Sequence, residues 1–288
     1  MPFPGTIYSF MGGETGDLSE WPDLGWNFIG GSGGFRPVIS STRAKTGTYS
    51  FKHELPVAGV TDAHSSMAMQ QGPNLVSMGG PGGSYIGGYY SMWVYLDNVN
   101  SGWNKTDWRM LLGWMTSVSG APDPIGHIEM SKLGTPTTLT LGVCFKAAAG
   151  ICWTAPALAG YDLQGGQYYF QTASSPNGIT AVPLNQWVHI EVYRKFSLTD
   201  AQVTIWQDGV LVMDLSHHDL NTVWGFQVAP CTNAAGGMII QVGCYGGGTV
   251  GGEILYIDDF RVTSQRIYPY LAGQTTPAAP SGLAVHFV

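Results

Sequence analysis

His189 and Glu191 stand two residues apart in QWVHIEVY, a spacing that sets an imidazole and a carboxylate side by side on one strand face. Such a pair could serve as a general base and its orienting partner. Tyr, His and Glu alternating along a sheet face are more commonly packing and cross-strand partners, so the pair reads as structural. His217, His218 and Asp219 carry ligating groups, but adjacent histidines on an extended chain point apart, and the run reads as a polar turn. The four cysteines, Cys144, Cys152, Cys231 and Cys244, allow three pairings. Cys144 and Cys152 flank residues 146–150 and could bridge a hairpin, while the CxxC pairs of a zinc site are missing. In a reducing compartment the same residues would be buried thiols. Aromatic rings stack on pyranose faces, which makes Trp103, Trp108, Trp114, Trp153 and Tyr245 carbohydrate-binding candidates.

The elements that must position these residues are strands. In residues 183–215, Trp187, His189, Glu191 and Tyr193 share one face and Val188, Ile190 and Val192 the other, a period of two. Val203 and Ile205 repeat the alternation. Asp208-Gly209 then predicts a two-residue type I′ hairpin, because both central positions need positive φ. A long antiparallel meander of this kind is the middle of a β-sandwich. Composition agrees with that reading. Hydrophobic residues make up 44% of the 288, enough for a large core, while charged residues at 11% are less than half the usual share. The 41 glycines and 17 prolines supply turns. Twelve basic against 19 acidic residues give −7, which argues against nucleic acid, since phosphate binding needs a basic footprint. No apolar run approaches the ~18 residues of a membrane span. The opening MPFP has neither a basic nor an apolar signal region, so no signal peptide is expected in the sequence as given.

Along the chain, short strands are predicted at 7–10, 35–40, 48–55, 85–96, 107–117, 126–132, 137–145, 168–173, 223–229, 237–245 and 253–263, with no long helix and no internal repeat. Residues 56–83 lack periodicity and read as a long excursion. Residues 1–263 form the predicted domain, an all-β, two-sheet antiparallel jelly-roll sandwich. Residues 264–288 read as an extended Pro-rich arm with scattered apolar anchors.

The segments GETGDLSEW, AKTGTYSFKHEL, YYSMWVYLD, QWVHIEVYRKFS, VTIWQDGVLV and YIDDFRV together resemble the concanavalin-A-like lectin/glucanase jelly roll. The nearest likeness is to the alginate, glucuronan and heparin-type polysaccharide lyases. Such lyases remove a proton beside a uronate carboxylate and need one group to neutralise the carboxylate and another to move the proton. The resemblance implies three motif strands on the concave sheet. Lys52-His53-Glu54-Leu55 stands for Arg-x-Glu-Leu, with Lys52 and Glu54 as candidates. Gly113-Trp114-Met115 stands for Gln-x-His and has lost both functional groups. Gln241 to Tyr245 stands for Lys-x-Gly-x-Tyr, with Gln241 and Tyr245 as candidates, and His127 is a possible substitute imidazole. Lys in place of Arg cannot fork onto a carboxylate, and the Glu-x-Asp-x-x-Glu run of a retaining glycosidase of this fold does not occur. The resemblance to related carbohydrate-binding jelly rolls further implies a structural calcium ion held by Glu14 and Asp258, with Asp259 beside them.

The expectation is therefore a non-catalytic, surface-exposed module, glycan-binding or structural, of virion-decoration or attachment type. It would sit on the outside of a cell or particle and assemble with copies of itself or with other subunits through residues 264–288. The alternatives are a polysaccharide lyase acting on a uronate glycan by β-elimination, or a carbohydrate-binding accessory domain of a secreted enzyme.

Overall fold

The computed structural model describes residues 5, 7–20, 37–54, 64–70, 87–97, 109–118, 121–131, 139–146, 153–154, 163–164, 167–171, 180–195, 202–215, 227–228, 238–245 and 252–268. At some strand positions, among them His64, His127, Cys144, Trp153 and Tyr245, the backbone alone is described. The strands are numbered β1 to β17 along the chain.

Sheet I runs in the order β14 (Val210–Leu215), β13 (Gln202–Gln207), β12 (Trp187–Lys195), β5 (Gly87–Asp97), β17 (Ile254–Thr263), β3 (Ser50–Glu54) and β2 (Val38–Ser40). β1 (Ile7–Met11) also pairs with β17. Sheet II runs β10 (Leu163–Gln164), β11 (Gln167–Gln171), β8 (Thr140–Lys146), β7 (Ala121–Ser131), β6 (Arg109–Val118), β16 (Met238–Tyr245) and β4 (His64–Gln70). A separate two-stranded ribbon joins β9 (Trp153–Thr154) to β15 (Gln227–Val228). Every ladder among the described strands is antiparallel, and the described helix is one 3-10 turn at Leu18–Glu20. This is the expected two-sheet jelly-roll sandwich. The Asp208-Gly209 hairpin has φ of 49° and 79°, as its sequence demands.

The alternation read from the sequence decides the faces. Val188, Ile190 and Val192 of β12 point inward with Tyr90, Met92 and Val94 of β5, and Leu255, Ile257 and Val262 of β17 continue that layer. Leu112, Ile128, Leu141, Val143, Ile240 and Val242 of sheet II belong to the same core. Burial of these apolar faces is the main driving term for the fold. Polar and charged side chains are buried with them, among them Arg109, Glu253, His53 and Arg194. Arg109 of β6 donates to Glu253, just before β17, at 2.7 Å, with both side chains buried. His53 of β3 bonds through Nδ1 to the Ser65 carbonyl of β4 at 2.8 Å, so one imidazole ties the two sheets together. Burial pushes its pKa down to about 4 despite that bond, and the ring is neutral at ordinary pH. Cys244, on the inner face of β16, is a buried free thiol whose pKa burial pushes up to about 12. The expected disulfide role of Cys244 is thereby corrected, because an unpaired sulfur sits among core side chains. Cys152 and Cys231 lie outside the described residues.

β17 is divided by a bulge. Its first half, residues 254–257, pairs with β3, and its second half, residues 260–263, pairs with β1. The interruption falls between Asp258 and Arg261, and Asp259 takes a positive φ of 51°. A bulge of this kind re-aims side chains locally.

Candidate functional site

The register separates the expected lyase residues. Lys52 and Glu54 belong to β3 of sheet I, where they form an exposed ion pair of 2.6 Å opposite Tyr256 and Ile254. Gln241, Tyr245 and His127 belong to β16 and β7 of sheet II. The strand beside β16 in that sheet is β4, HSSMAMQ, from the stretch expected to be irregular. The assignment of Lys52-His53-Glu54-Leu55 to the concave motif sheet is therefore corrected. β3 and β4 are close in sequence yet lie on opposite sheets, with His53 bonding across to the Ser65 carbonyl. Within sheet II, Gln241 and His127 flank Gly113 in register, and Tyr245 stands opposite His64. Gln241 is 2% exposed.

Trp114 is corrected as well. It is 1% exposed, packs edge-on to Tyr90 at 5.4 Å and lies under the Arg194 guanidinium at 5.5 Å. Bulges on both sides of Leu112–Trp114 set its inward direction, so it is core and not a sugar platform. Trp153 is placed in β9 by its backbone, and Trp103 and Trp108 lie outside the described residues.

The three carboxylates expected to bind calcium meet other partners. Both oxygens of Glu14 accept from the Thr48 amide, at 2.9 and 3.1 Å, and the Tyr49 amide donates to one of them at 3.1 Å. Asp258 Oδ2 accepts from the amides of Lys45 at 2.7 Å and Thr46 at 3.0 Å. Asp259 pairs with Arg261 at 3.1 Å. Among the described residues no group of three or more His, Cys, Asp or Glu is arranged to hold a metal. Calcium favours six to eight oxygen ligands; among the described residues Asp258 Oδ1 is buried without a hydrogen-bond partner, while the Glu14 oxygens and Asp258 Oδ2 meet N–H donors. Their visible work is to fasten the turn at residues 43–49 across the chain ends. Glu20 does the same for the first turn, accepting from the amides of Gly12, Gly13 and Thr15 at 2.7, 2.9 and 2.9 Å. Burial raises the Asp258 pKa to about 7, with Asp259 adding to the rise and the amides opposing it.

The outer face of sheet I is the feature that sequence reasoning undervalued. Trp187, Tyr95, Tyr256 and Lys52 form one row across β12, β5, β17 and β3. His189, Trp93 and Asp258 form the next row, then Glu191, Ser91 and Arg261, then Tyr193, Tyr89 and Thr263. Trp187 packs edge-on to Tyr95 at 5.5 Å, and Tyr95 edge-on to Tyr256 at 6.0 Å. Arg43 lies over Tyr95 at 4.8 Å and approaches Asp97 at 3.8 Å. The signal was legible in YYSMWVYLD, where aromatic residues recur at 89, 93 and 95 with the parity of Asp97.

The middle of this face is roofed. Lys45 sits 4.1 Å above Trp93. Residues 264–268 lie over β12 and β13, where Glu191 accepts from Arg266 Nε at 2.9 Å and from the Ile267 amide at 2.6 Å. Arg266 stacks on Trp206 at 4.1 Å, and Tyr268 packs on His189 at 5.1 Å. Burial and the nearby Arg261, Arg266 and Lys45 push His189 down to about 3, so it is no base near neutrality. The structural reading of His189 and Glu191 agrees with this arrangement, and the first five residues of the expected arm dock on their own sandwich. Residues 269–288 lie outside the described residues.

No family model matches the sequence, and no curated protein matches it. Among solved structures, the chain is similar to the alginate lyase from Chlorella virus at 8% identity, with 80% of this chain and 89% of that chain covered and a TM-score of 0.47. It is similar to the alginate lyase from Klebsiella pneumoniae at 12% identity, 81% and 86% coverage and a TM-score of 0.46. A third likeness is to the receptor binding domain of botulinum neurotoxin C/D mosaic serotype, at 11% identity with a TM-score of 0.44. It covers 81% of this chain and 43% of that one. At such identities and scores these likenesses do not bear on what the chain binds or does. The strand order and the outer face define the class by themselves: an antiparallel jelly-roll sandwich with aromatic rows on the outer face of one sheet.

Proposed function

We propose that this chain is a non-catalytic, surface-displayed module that binds glycan. One observation carries the reading: the residues that would serve β-elimination are divided between the two sheets. Neutralising a uronate and moving its neighbouring proton require groups converging on the same sugar ring. Lys52 and Glu54 pair with each other on the outer side of sheet I, while Gln241, His127 and Tyr245 belong to strands of sheet II. Packed sheets lie roughly 10 Å apart with core side chains between them, so one bound sugar cannot reach both sets. Support for glycan comes from the half-buried Trp187 and Tyr193 on the outer face of sheet I. Aromatic side chains with a few placed polar groups are the usual make-up of a ligand site.

A lyase reading keeps one point in its favour. Tyr245 lies opposite His64, and Gln241 and His127 flank Gly113. Incubation with alginate, glucuronan and heparin separates the two readings. Lyase turnover leaves an unsaturated uronate that absorbs in the near ultraviolet, and no rise above blank is expected. A rise that vanishes in Tyr245→Phe would overturn the non-catalytic assignment. Display on a cell or particle surface, and assembly through the arm beginning at residue 264, complete the proposal.

A further inference from the structure

We propose that the open end of the outer face of sheet I is the glycan site, and that it takes a neutral oligosaccharide of pyranose rings. Trp187 would be its stacking surface, with Arg43, Asp97, Lys52 and Glu54 as its polar partners. This rests on the glycan-binding reading and gives it a place and a ligand class.

Exposure supplies the first argument. The central rows of this face are covered by Lys45 and by residues 264–268. At the other end of the face the Trp187 indole is half-buried, packed against Tyr95, Ile254 and Tyr256. The polar groups beside it reach solvent: the Arg43 side chain is 39% exposed and that of Glu54 57%.

Charge supplies the second. Arg43 faces Asp97 at 3.8 Å and Lys52 holds Glu54 at 2.6 Å, so the two cations are matched by two anions. An acidic sugar would have to break a pair and meet the released carboxylate. A neutral diol does better, since one hydroxyl can donate to the carboxylate while its neighbour accepts from the guanidinium or ammonium. Charge-assisted bonds of this kind are the stronger ones.

The groups also converge. Lys52 stands opposite Tyr256 and Tyr256 opposite Tyr95 in register, while Arg43 lies over Tyr95 and faces Asp97. Trp187 and Tyr256 each meet Tyr95 edge-on, and Tyr95 and Tyr256 are buried, so of the three rings the indole is the one that reaches solvent.

The test uses the full chain and calorimetric titration with cellohexaose and mannohexaose against alginate and heparin hexasaccharides. Binding of at least one neutral hexasaccharide is expected, with affinity at least tenfold above either acidic one. Trp187→Ala and, separately, Asp97→Asn should each cut that affinity at least tenfold. Circular dichroism checks that each variant remains folded, and Asp97→Asn, which keeps an acceptor oxygen and the side-chain shape, covers the case in which Trp187→Ala does not. Binding that ignores both substitutions overturns this site and leaves the glycan-binding reading standing. Preference for the acidic sugars overturns the ligand class. No binding to any of the four defeats the site and the reading together.

Discussion

At the scale of single residues, much of the stability near the chain ends depends on carboxylates that cap backbone amides. Gly47 shows how tight that arrangement is. Its φ is +58°, and a methyl group there would overlap the Glu14 carboxylate. Gly47→Ala should cost about 2 kcal/mol, from the strained backbone and the displaced cap together, as read from the urea midpoint. An unchanged midpoint would show that Glu14 is not fixed over the turn. Asp258 gives a pH prediction. Its folded pKa of about 7 lies above the ordinary 3.8, so the folded chain binds that proton more tightly than the unfolded chain does. Its contribution is complete below about pH 4 and is lost as pH rises through 7. Asp258→Asn keeps an oxygen for the Lys45 and Thr46 amides and carries no charge. The melting temperature of the parent relative to this variant should therefore fall between pH 4 and 7. Parallel curves would refute the raised pKa.

At the scale of elements, the strap at residues 264–268 is held chiefly by Glu191. That carboxylate is fully buried, and Arg266 is its charged partner, about a third exposed. Removing Arg266 strands a buried charge on the Ile267 amide alone. A fully buried pair broken in this way costs about 3–5 kcal/mol; with the partner partly in solvent, about 2 kcal/mol is expected for Arg266→Ala. The strap should also become cleavable near Tyr268 in limited proteolysis while the sandwich stays intact. Equal cleavage of parent and variant would mean that Trp206 and His189 hold the strap without the ion pair.

At the scale of the whole molecule, the proposed assembly through the arm can be tested from where the arm begins. Its first residues are committed to the sandwich, and Tyr268 packs beside Gly209, next to β14 at the end of sheet I. Tyr268 is the last described residue before the rest of the arm. Sheet edges can be extended by an added strand, and GLAVHFV has the alternating apolar pattern to do so on a neighbouring copy. Deleting residues 273–288 should leave a folded monomer that no longer associates in sedimentation experiments. Association as before would remove the arm from the assembly.

The amino-acid sequence by itself determined what depends on neighbours in the chain. The parity of Trp187, His189, Glu191 and Tyr193, the Asp208-Gly209 hairpin and the antiparallel sandwich all follow from local alternation and turn chemistry. It could not determine which sheet a strand joins, because a period of two specifies faces and leaves the pairing partner open. That is why β3 was expected among the motif strands and β4 passed as irregular: HSSMAMQ has no alternation to announce a strand, and only its ladder with β16 makes it one. Trp114 depended on two bulges that shift parity, and the sequence carries no mark of them. Asp258 and Glu14 were legible as a pair near the chain ends. Their partners are amides 213 and 34 residues away, supplied only when the sandwich closes and brings the turn at 43–49 against the bulge of β17.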